Sequence, residues 1–287
     1  MSDAPLSLVV FARDQSRRVQ DAWDELSAFL DARTGVQIAA TAIAGDLTLP
    51  DEPVDLVLVL GGDGAILRAC HQLGPRQHPV LGINLGRLGF LADLSPDEFR
   101  ENFELIRQRQ YQVVEHLMFE CALKRGDGST ETFLGLNEAA IRASGLQMID
   151  VELAINDEPV TTYSGDGLIV STPVGSTAHS LSAGGPLLRQ DLQAFVVTPI
   201  CPHSLSNRPL VDHADRVYTL DVPNADVGAT LVVDGQIRRP IRPDDRIEIR
   251  KASVTFKLAR IPGHSFYAML YRKLGWAGHT RTTHTPR

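Results

Sequence analysis

The sequence predicts an α/β N-terminal domain with a parallel sheet, an all-β C-terminal domain, and a C-terminal helix returning to the first domain. Two observations carry this. In the first hundred residues, unbroken apolar runs alternate with stretches whose apolar residues recur every three or four positions. An unbroken run marks a strand buried on both faces, the wider spacing marks one stripe of a helix, and their alternation implies a parallel, doubly wound sheet. After about residue 110 the period falls to two, and turn clusters separate the runs, as in an antiparallel β domain.

In chain order, LSLVVFA (6–12) is the first buried strand. Val19, Trp23, Leu26 and Leu30 form one apolar stripe, so a helix follows. LVLVL (56–60) and PVLGIN (79–84) are the next two strands. SPDEF (95–99) opens a helix: Ser95 caps it, Pro96 suits its first position and Glu98 closes a capping box. Phe99, Phe103 and Ile106 continue that helix's apolar face. FECAL, VELAI, TLDV, RIEIR and SVTFKLARI read as strands between Gly-Asp-Gly, Asn-Asp and Pro-Asp-Asp turns. In HSFYAMLYRKLGW, Phe266, Met269, Leu270 and Leu274 have helical spacing, and an apolar stripe on a free tail would stay exposed. The domains expected are therefore 1–110, completed by 263–287, and 111–262.

The 287 residues, 43% hydrophobic, suffice for one large domain or two ordinary ones. A formal charge of -7 argues against a general nucleic-acid binder. Arg272, Lys273, Arg281 and Arg287 read as a solvated basic tail. Cys70, Cys121 and Cys201 are scattered without a Cys-x-x-Cys pair, which is neither a zinc pattern nor a disulfide framework and fits a reducing compartment. MSDAPLSLVVFARDQ lacks the basic start and apolar core of a signal peptide. No apolar stretch approaches the ~20 residues that span a bilayer. The expectation is a cytoplasmic protein with no nucleic-acid and no membrane partner.

GGDG (61–64) follows a buried strand and precedes the helix pattern Ile66, Leu67, Cys70, Leu73. There a glycine turn presents backbone N–H groups and a helix N-terminus to an anion. The loop is not G-x-G-x-x-G, and no G-x-x-x-x-G-K-[ST] occurs, which weakens hydride-transfer and Walker-type readings. GDG also occurs at 126–128, between Lys124-Arg125 and Ser129-Thr130, where it reads as a hairpin tip. A third copy, at 165–167, lies within SGDGLIVSTPVGSTAHSLSAGGP (164–186). The small residues of that stretch pack poorly as core and let a ligand lie against the backbone. A flexible surface loop is the alternative, but Leu168, Ile169 and Val170 mark a buried strand directly after Asp166. Asp63 poses the sharper question, because phosphates repel a bare carboxylate. It must hold a metal or face a hydroxyl, and phosphoryl transfer to an alcohol uses carboxylates in both ways.

With GINLGRLGFLADL (82–94), LNEAAI (136–141), PHSLSNRPLV (202–211) and DGQ (234–236), these segments resemble the NAD kinase family in order and approximate spacing. GGDG alone is shared with lipid kinases and phosphofructokinases; the 164–186 segment is far more specific. The resemblance implies an α/β domain and a β-rich domain with the substrate between them. It also implies transfer of the γ-phosphate of ATP, in some members polyphosphate, to the 2′-hydroxyl of the adenosine ribose of NAD. It makes Asp63 the proton acceptor and places Gly62 and Gly64 in the substrate site, Gly64 against the dinucleotide. Phe90 would stack near the adenine, Asn137 and Glu138 would hold the adenosine side, and Asp166 the nicotinamide side. Thr177, Ala178, His179, Ser180 and Ser182 would line the pocket, with Gln236 a weaker candidate. Arg68, one turn beyond GGDG, is placed to offset phosphate charge or to sit on a solvated helix face. His71 and His203 show no partner pattern and read as core or surface residues.

Two departures stand out: Ala65 where the family often has a small polar residue, and His179 where it usually has tyrosine. With no Walker lysine to neutralise the triphosphate, a divalent cation, magnesium, is expected as cofactor, and no residue is assigned as its protein ligand. Family members form homodimers and homotetramers. A lipid kinase should lack the Asn-Glu pair and STPVGSTA, and a non-catalytic dinucleotide sensor should have lost Asp63.

Overall fold

The computed structural model describes residues 4–87, 89–92, 94–263 and 266–275. Arg281 and Arg287 of the expected tail lie outside these residues, as do Leu88, Asp93, His264, Ser265 and Trp276 within expected motifs. The chain divides into two units, one of residues 1–66, 80–114 and 259–287, the other of 67–79 and 115–258.

In the first unit, β1 (Leu6–Ala12) leads into α1 (Arg17–Asp31) and β2 (Val36–Ile43). Next come β3 (Leu56–Leu60), the start of α2 (Asp63–Leu73) and β4 (Val80–Ile83). The strands are parallel in the order β2-β1-β3-β4. Leu8, Val10, Leu58 and Leu60 pack with Val19, Leu26 and Leu30 of α1, while Val9, Phe11, Val57 and Val59 are buried as well. Both faces of β1 and β3 are thus covered, which is why their sequences are unbroken apolar runs.

β2 went unnoticed in the sequence because it is an edge strand with no fully buried residue, and VQIAATAI mixes polar with small residues. The helix expected from Ser95 is two helices, α3 (Pro96–Glu101) and α4 (Phe103–Arg107). The capping box forms as expected. Asn102 ends the first helix by turning its side-chain amide onto the Glu98 carbonyl at 2.8 Å, a local bond that competes with helix propagation. Phe99, Phe103 and Ile106 nonetheless share one core.

The second unit is built mainly of antiparallel strands. These are β5 (Gln112–Lys124, which begins in the first unit), β6 (Thr130–Gly135), β7 (Glu138–Ala143), β8 (Ile149–Ile155), β9 (Glu158–Gly165) and β10 (Gly167–Ser171). After the short helix α5 (His179–Ser182) come β11 (Ala194–Ile200), β12 (Leu210–His213) and β13 (Tyr218–Asp221). The last are β14 (Ala229–Val233), β15 (Ile237–Ile241) and β16 (Arg246–Arg260), whose end belongs to the first unit. One sheet runs β12-β11-β10-β7-β14-β15. Against it, β8, β9 and β13 pack with β16, β5 and β6, and Phe119, Tyr218, Phe195 and Ile141 lie in the shared core. RIEIR and SVTFKLARI are one strand, and residues 126–128 are the tip of the β5–β6 hairpin.

The final helix, α6 (Phe266–Leu274), buries Met269 and Leu270. It returns to the first unit, where Lys273 Nζ stands 5.0 Å from the Phe90 ring centre. No helix among the described residues is long and apolar enough to cross a membrane.

Candidate active site

In the first unit the chain turns back on itself between β1 and β3, since β2 lies outside β1 and β4 outside β3. Ligands of open parallel sheets bind at such a point, beyond the carboxyl ends of the strands. A cavity of about 200 Å³ opens there, lined by Arg13, Asp14 and Arg18 after β1 and by Gly61, Gly62 and Gly64 after β3. Gly61 has φ +139°, which non-glycine residues rarely adopt. Arg13 Nη1 lies 3.3 Å from where a side chain at Gly64 would begin. Its ion pair with Asp14 is loose, at 3.9 Å. Arg13 and Arg18 were not found from the sequence. Their signal was position, since ARDQSRR follows the first strand directly.

Asp63 opens α2, and both its oxygens are engaged. Oδ2 accepts the Phe90 N–H at 2.8 Å, and Oδ1 accepts those of Leu91 and Ala92 at 2.9 and 3.0 Å. A Cβ at Gly89 would stand 2.0 Å from Oδ1, so LGF needs its glycine for close approach to this carboxylate. The aspartate among the phosphate-loop glycines therefore anchors the segment that carries Phe90. Oδ2, with a single N–H partner among the described residues, keeps a lone pair for another donor.

The second unit repeats the device. Asp234, with φ 49°, lies beside Gly235 in the β14–β15 turn. Its side chain is fully buried. Oδ1 accepts the N–H groups of Asn137 (2.8 Å) and Glu138 (3.0 Å), while Oδ2 accepts that of Leu136 at 2.7 Å. His71 Nε2 lies 2.8 Å from the same Oδ2. This corrects the expectation that His71 lacks a partner: α2 brings it to an aspartate 163 residues away, a separation invisible to local pattern.

Glu138 is 7% exposed, and its Oε2 has no hydrogen-bond partner among the described residues. Burial, and secondarily the charge of Asp234, push its carboxyl up to about 8, so it carries a proton at neutral pH. It lines a cavity of about 480 Å³ with His179, Arg142, Thr230 and Arg238. Burial, then the charge of Arg142, hold His179 below the usual histidine range, which favours the neutral ring. Arg142 and Arg238, both exposed, were also missed, because alternation along a strand does not tell a solvent face from a ligand face.

The small-residue segment differs from expectation, for Ser171 to Thr177 is buried core. Its hydroxyls bond within the chain: Thr172 Oγ1 donates to the Leu136 carbonyl at 2.5 Å and Ser176 Oγ to that of Pro173 at 2.6 Å. A Cβ at Gly175 would stand 2.1 Å from the Asn137 carbonyl oxygen, so smallness here lets backbone meet backbone. Thr177 is buried and donates to the Val174 carbonyl, and Ser180 pairs with Thr198 inside the core. Ala178 and His179 are half-buried, while Ser182 and Gln236 are exposed. Asp166 is exposed beside Cys201, whose thiol it bonds and pushes up. Arg68, half-buried, has no acidic partner among the described residues.

Among the described residues no group of three or more His, Cys, Asp or Glu could hold a metal. Magnesium does not require one when phosphates supply most of its ligands. The chemistry of the glycine-loop cavity fits such an ion, because the Asp14 carboxylate lines it.

A glycine loop at the switch point of a parallel sheet, joined to a β unit with an acid- and arginine-lined cavity, defines a nucleotide-binding phosphotransferase. Residues 30–111 match the ATP-NAD kinase N-terminal domain and 136–261 the ATP-NAD kinase C-terminal domain. The chain belongs to the NAD kinase family. It is 44% identical over 279 residues to the NAD kinase of Rhodopirellula baltica, spanning 96% of this chain and 88% of that one. Identity to the NAD kinase of Geobacter metallireducens is 35% over 278 residues, spanning 94% and 98%. Among solved structures, yeast NADH kinase complexed with NADH shares the fold, with TM-score 0.87, 23% identity and coverage of 98% and 90%. An NAD kinase from Archaeoglobus fulgidus in complex with ATP gives TM-score 0.69 at 25% identity, covering 94% and 98%. The activity is phosphorylation of NAD to NADP, a phosphotransfer dependent on ATP.

Proposed function

We propose that the chain moves the γ-phosphate of ATP to the 2′-hydroxyl of the adenosine ribose of NAD, with Asp63 as proton acceptor. The hydroxyl proton passes to Asp63 Oδ2, the oxygen left with a lone pair. The ribose oxygen bonds to the γ-phosphorus, the bond from that phosphorus to the β–γ bridging oxygen breaks, and ADP leaves. The observation that carries this reading is the place of Asp63, anchored by three N–H groups at the end of a glycine loop at the switch point. Gly62, Gly64, Arg13 and Arg18 line the phosphate cavity, and Arg68 adds charge on the helix that follows. When bound, magnesium would neutralise triphosphate charge, with Asp14 the cavity carboxylate to meet it. Polyphosphate is an alternative donor for the same cavity.

Asn137 and the protonated Glu138 would hold the adenosine side, Glu138 as a hydrogen-bond donor, with Phe90 stacking near the adenine. Asp166 would take the nicotinamide side. His179, Ala178 and Ser182, with Gln236, complete the pocket, while Thr177 and Ser180 set its backbone from within the core. Arg142 and Arg238 face the 480 Å³ cavity and suit the dinucleotide's pyrophosphate. The scattered cysteines support a reducing, cytoplasmic compartment, and the family resemblance supports assembly as a homodimer or homotetramer. Incubation with ATP, magnesium and NAD, with NADP detected by an NADP-specific dehydrogenase, tests the reading. NADP should form and should vanish in excess chelator, and undiminished formation with chelator would remove the metal from it.

A further inference from the structure

We infer that His71 is a positioning residue for NAD, holding the backbone of Asn137 and Glu138 in place through Asp234. The inference rests on the assignment of Asn137 and Glu138 as NAD contacts.

Asp234 is committed to this segment from both ends. Its carboxylate takes the N–H groups of Leu136, Asn137 and Glu138, and its own N–H donates to the Glu138 carbonyl at 2.9 Å. Of the donors to this fully buried carboxylate among the described residues, His71 is the one side chain, and it arrives from α2 rather than from the segment it supports. It shares Oδ2 with the Leu136 N–H. Without the imidazole, that oxygen keeps one partner among the described residues, and rotation of the carboxylate is resisted by its three backbone donors alone. Glu138, with Oε2 unpartnered among the described residues and its proton retained by burial and then by the Asp234 charge, is the group such a rotation would reach. Buried carboxylates left short of a donor do not remain in place, because desolvation is then uncompensated.

A packing role would show as lost stability and nothing else, whereas a positioning role shows in the use of NAD. The experiment compares His71→Leu, His71→Gln and His71→Asn in the full chain, measuring KM for NAD and for ATP below the unfolding range. Leucine removes the donor. Glutamine places an amide N–H where Nε2 stands, and asparagine falls short of it. The expected result is a rise of about ten- to a hundredfold in KM for NAD in His71→Leu, the factor for one lost hydrogen bond to a charged group. His71→Asn should fall between it and the parent, His71→Gln should return toward the parent, and KM for ATP should stay within about twofold. If the leucine variant fails to fold, the glutamine and asparagine variants carry the comparison alone. KM for NAD unchanged in folded His71→Leu, equal values for glutamine and asparagine, or an equal rise in KM for ATP would each overturn the inference. Asn137→Ala is run beside them. If it leaves KM for NAD unchanged, the NAD assignment fails and takes the inference with it. If it raises KM while the His71 variants are silent, only the inference fails.

Discussion

Replacing Asp63 by asparagine should damage the protein twice, and the structure separates the two injuries. The carboxylate accepts N–H groups from Phe90, Leu91 and Ala92 at 2.8, 2.9 and 3.0 Å. An asparagine oxygen in the Oδ1 position keeps two of them and sets an NH₂ group against the Phe90 N–H, donor to donor. The flipped amide is worse, since it opposes two. One charge-assisted bond is lost, at roughly 1.5–3 kcal/mol, and the other two weaken, so the unfolding free energy should fall by about 2–4 kcal/mol. If Asp63 also takes the ribose proton, turnover falls by about 10² to 10⁴ beyond any loss of folded protein. The assay is chemical denaturation beside kcat and its pH profile, measured well below the transition. Loss of the base abolishes the acid limb of that profile, whereas loop damage alone lowers the whole curve and keeps its shape. Unchanged stability would refute the anchoring role, and a preserved acid limb with near-normal turnover would refute the base.

Glu138 should make stability fall with rising pH. Its pKa is near 4.5 in the unfolded chain and about 8 when folded, so between those values only the unfolded chain gives up the proton. The loss reaches at most about 5 kcal/mol by pH 8 and is flat above it. Glu138→Gln should lack that component in pH-dependent denaturation, and parallel curves for the two proteins would contradict the buried, protonated acid. Asp166→Ala should weaken NAD binding about ten- to a hundredfold by calorimetry, as expected for a lost hydrogen bond to a charged group; unchanged affinity would make Asp166 a plain turn residue. His179→Tyr should change turnover little, because burial and Arg142 already favour the uncharged ring, and a large loss would show that the histidine has its own role.

The parallel strands were legible because burial on both faces writes unbroken apolar runs, as in LSLVVFA and LVLVL. The capping box at Ser95 was legible because its chemistry is local. β2 was not, since an edge strand carries no such constraint. GGDG, the Asn-Glu pair and the 164–186 segment point to the proposed site, yet the contacts their residues make were only partly readable. The small residues of STPVGSTA serve a backbone contact with Asn137, and the hydroxyl of Ser180 is spent on Thr198. The parallel anchoring by Asp63 and Asp234, like the reach of His71, depends on contacts 27 to 163 residues apart that no local pattern encodes. Arg13 and Arg18 become meaningful only when the strand order places them opposite the glycine loop.

The central claim is transfer of one phosphate from ATP to the 2′-hydroxyl of NAD, and ³¹P NMR of the reaction mixture tests it most directly. The account predicts the appearance of a 2′-phosphomonoester on the dinucleotide, with ADP formed in equal amount and the pyrophosphate signals of NAD retained. Consumption of ATP to free phosphate without that monoester, or a phosphate on any other hydroxyl, would contradict it.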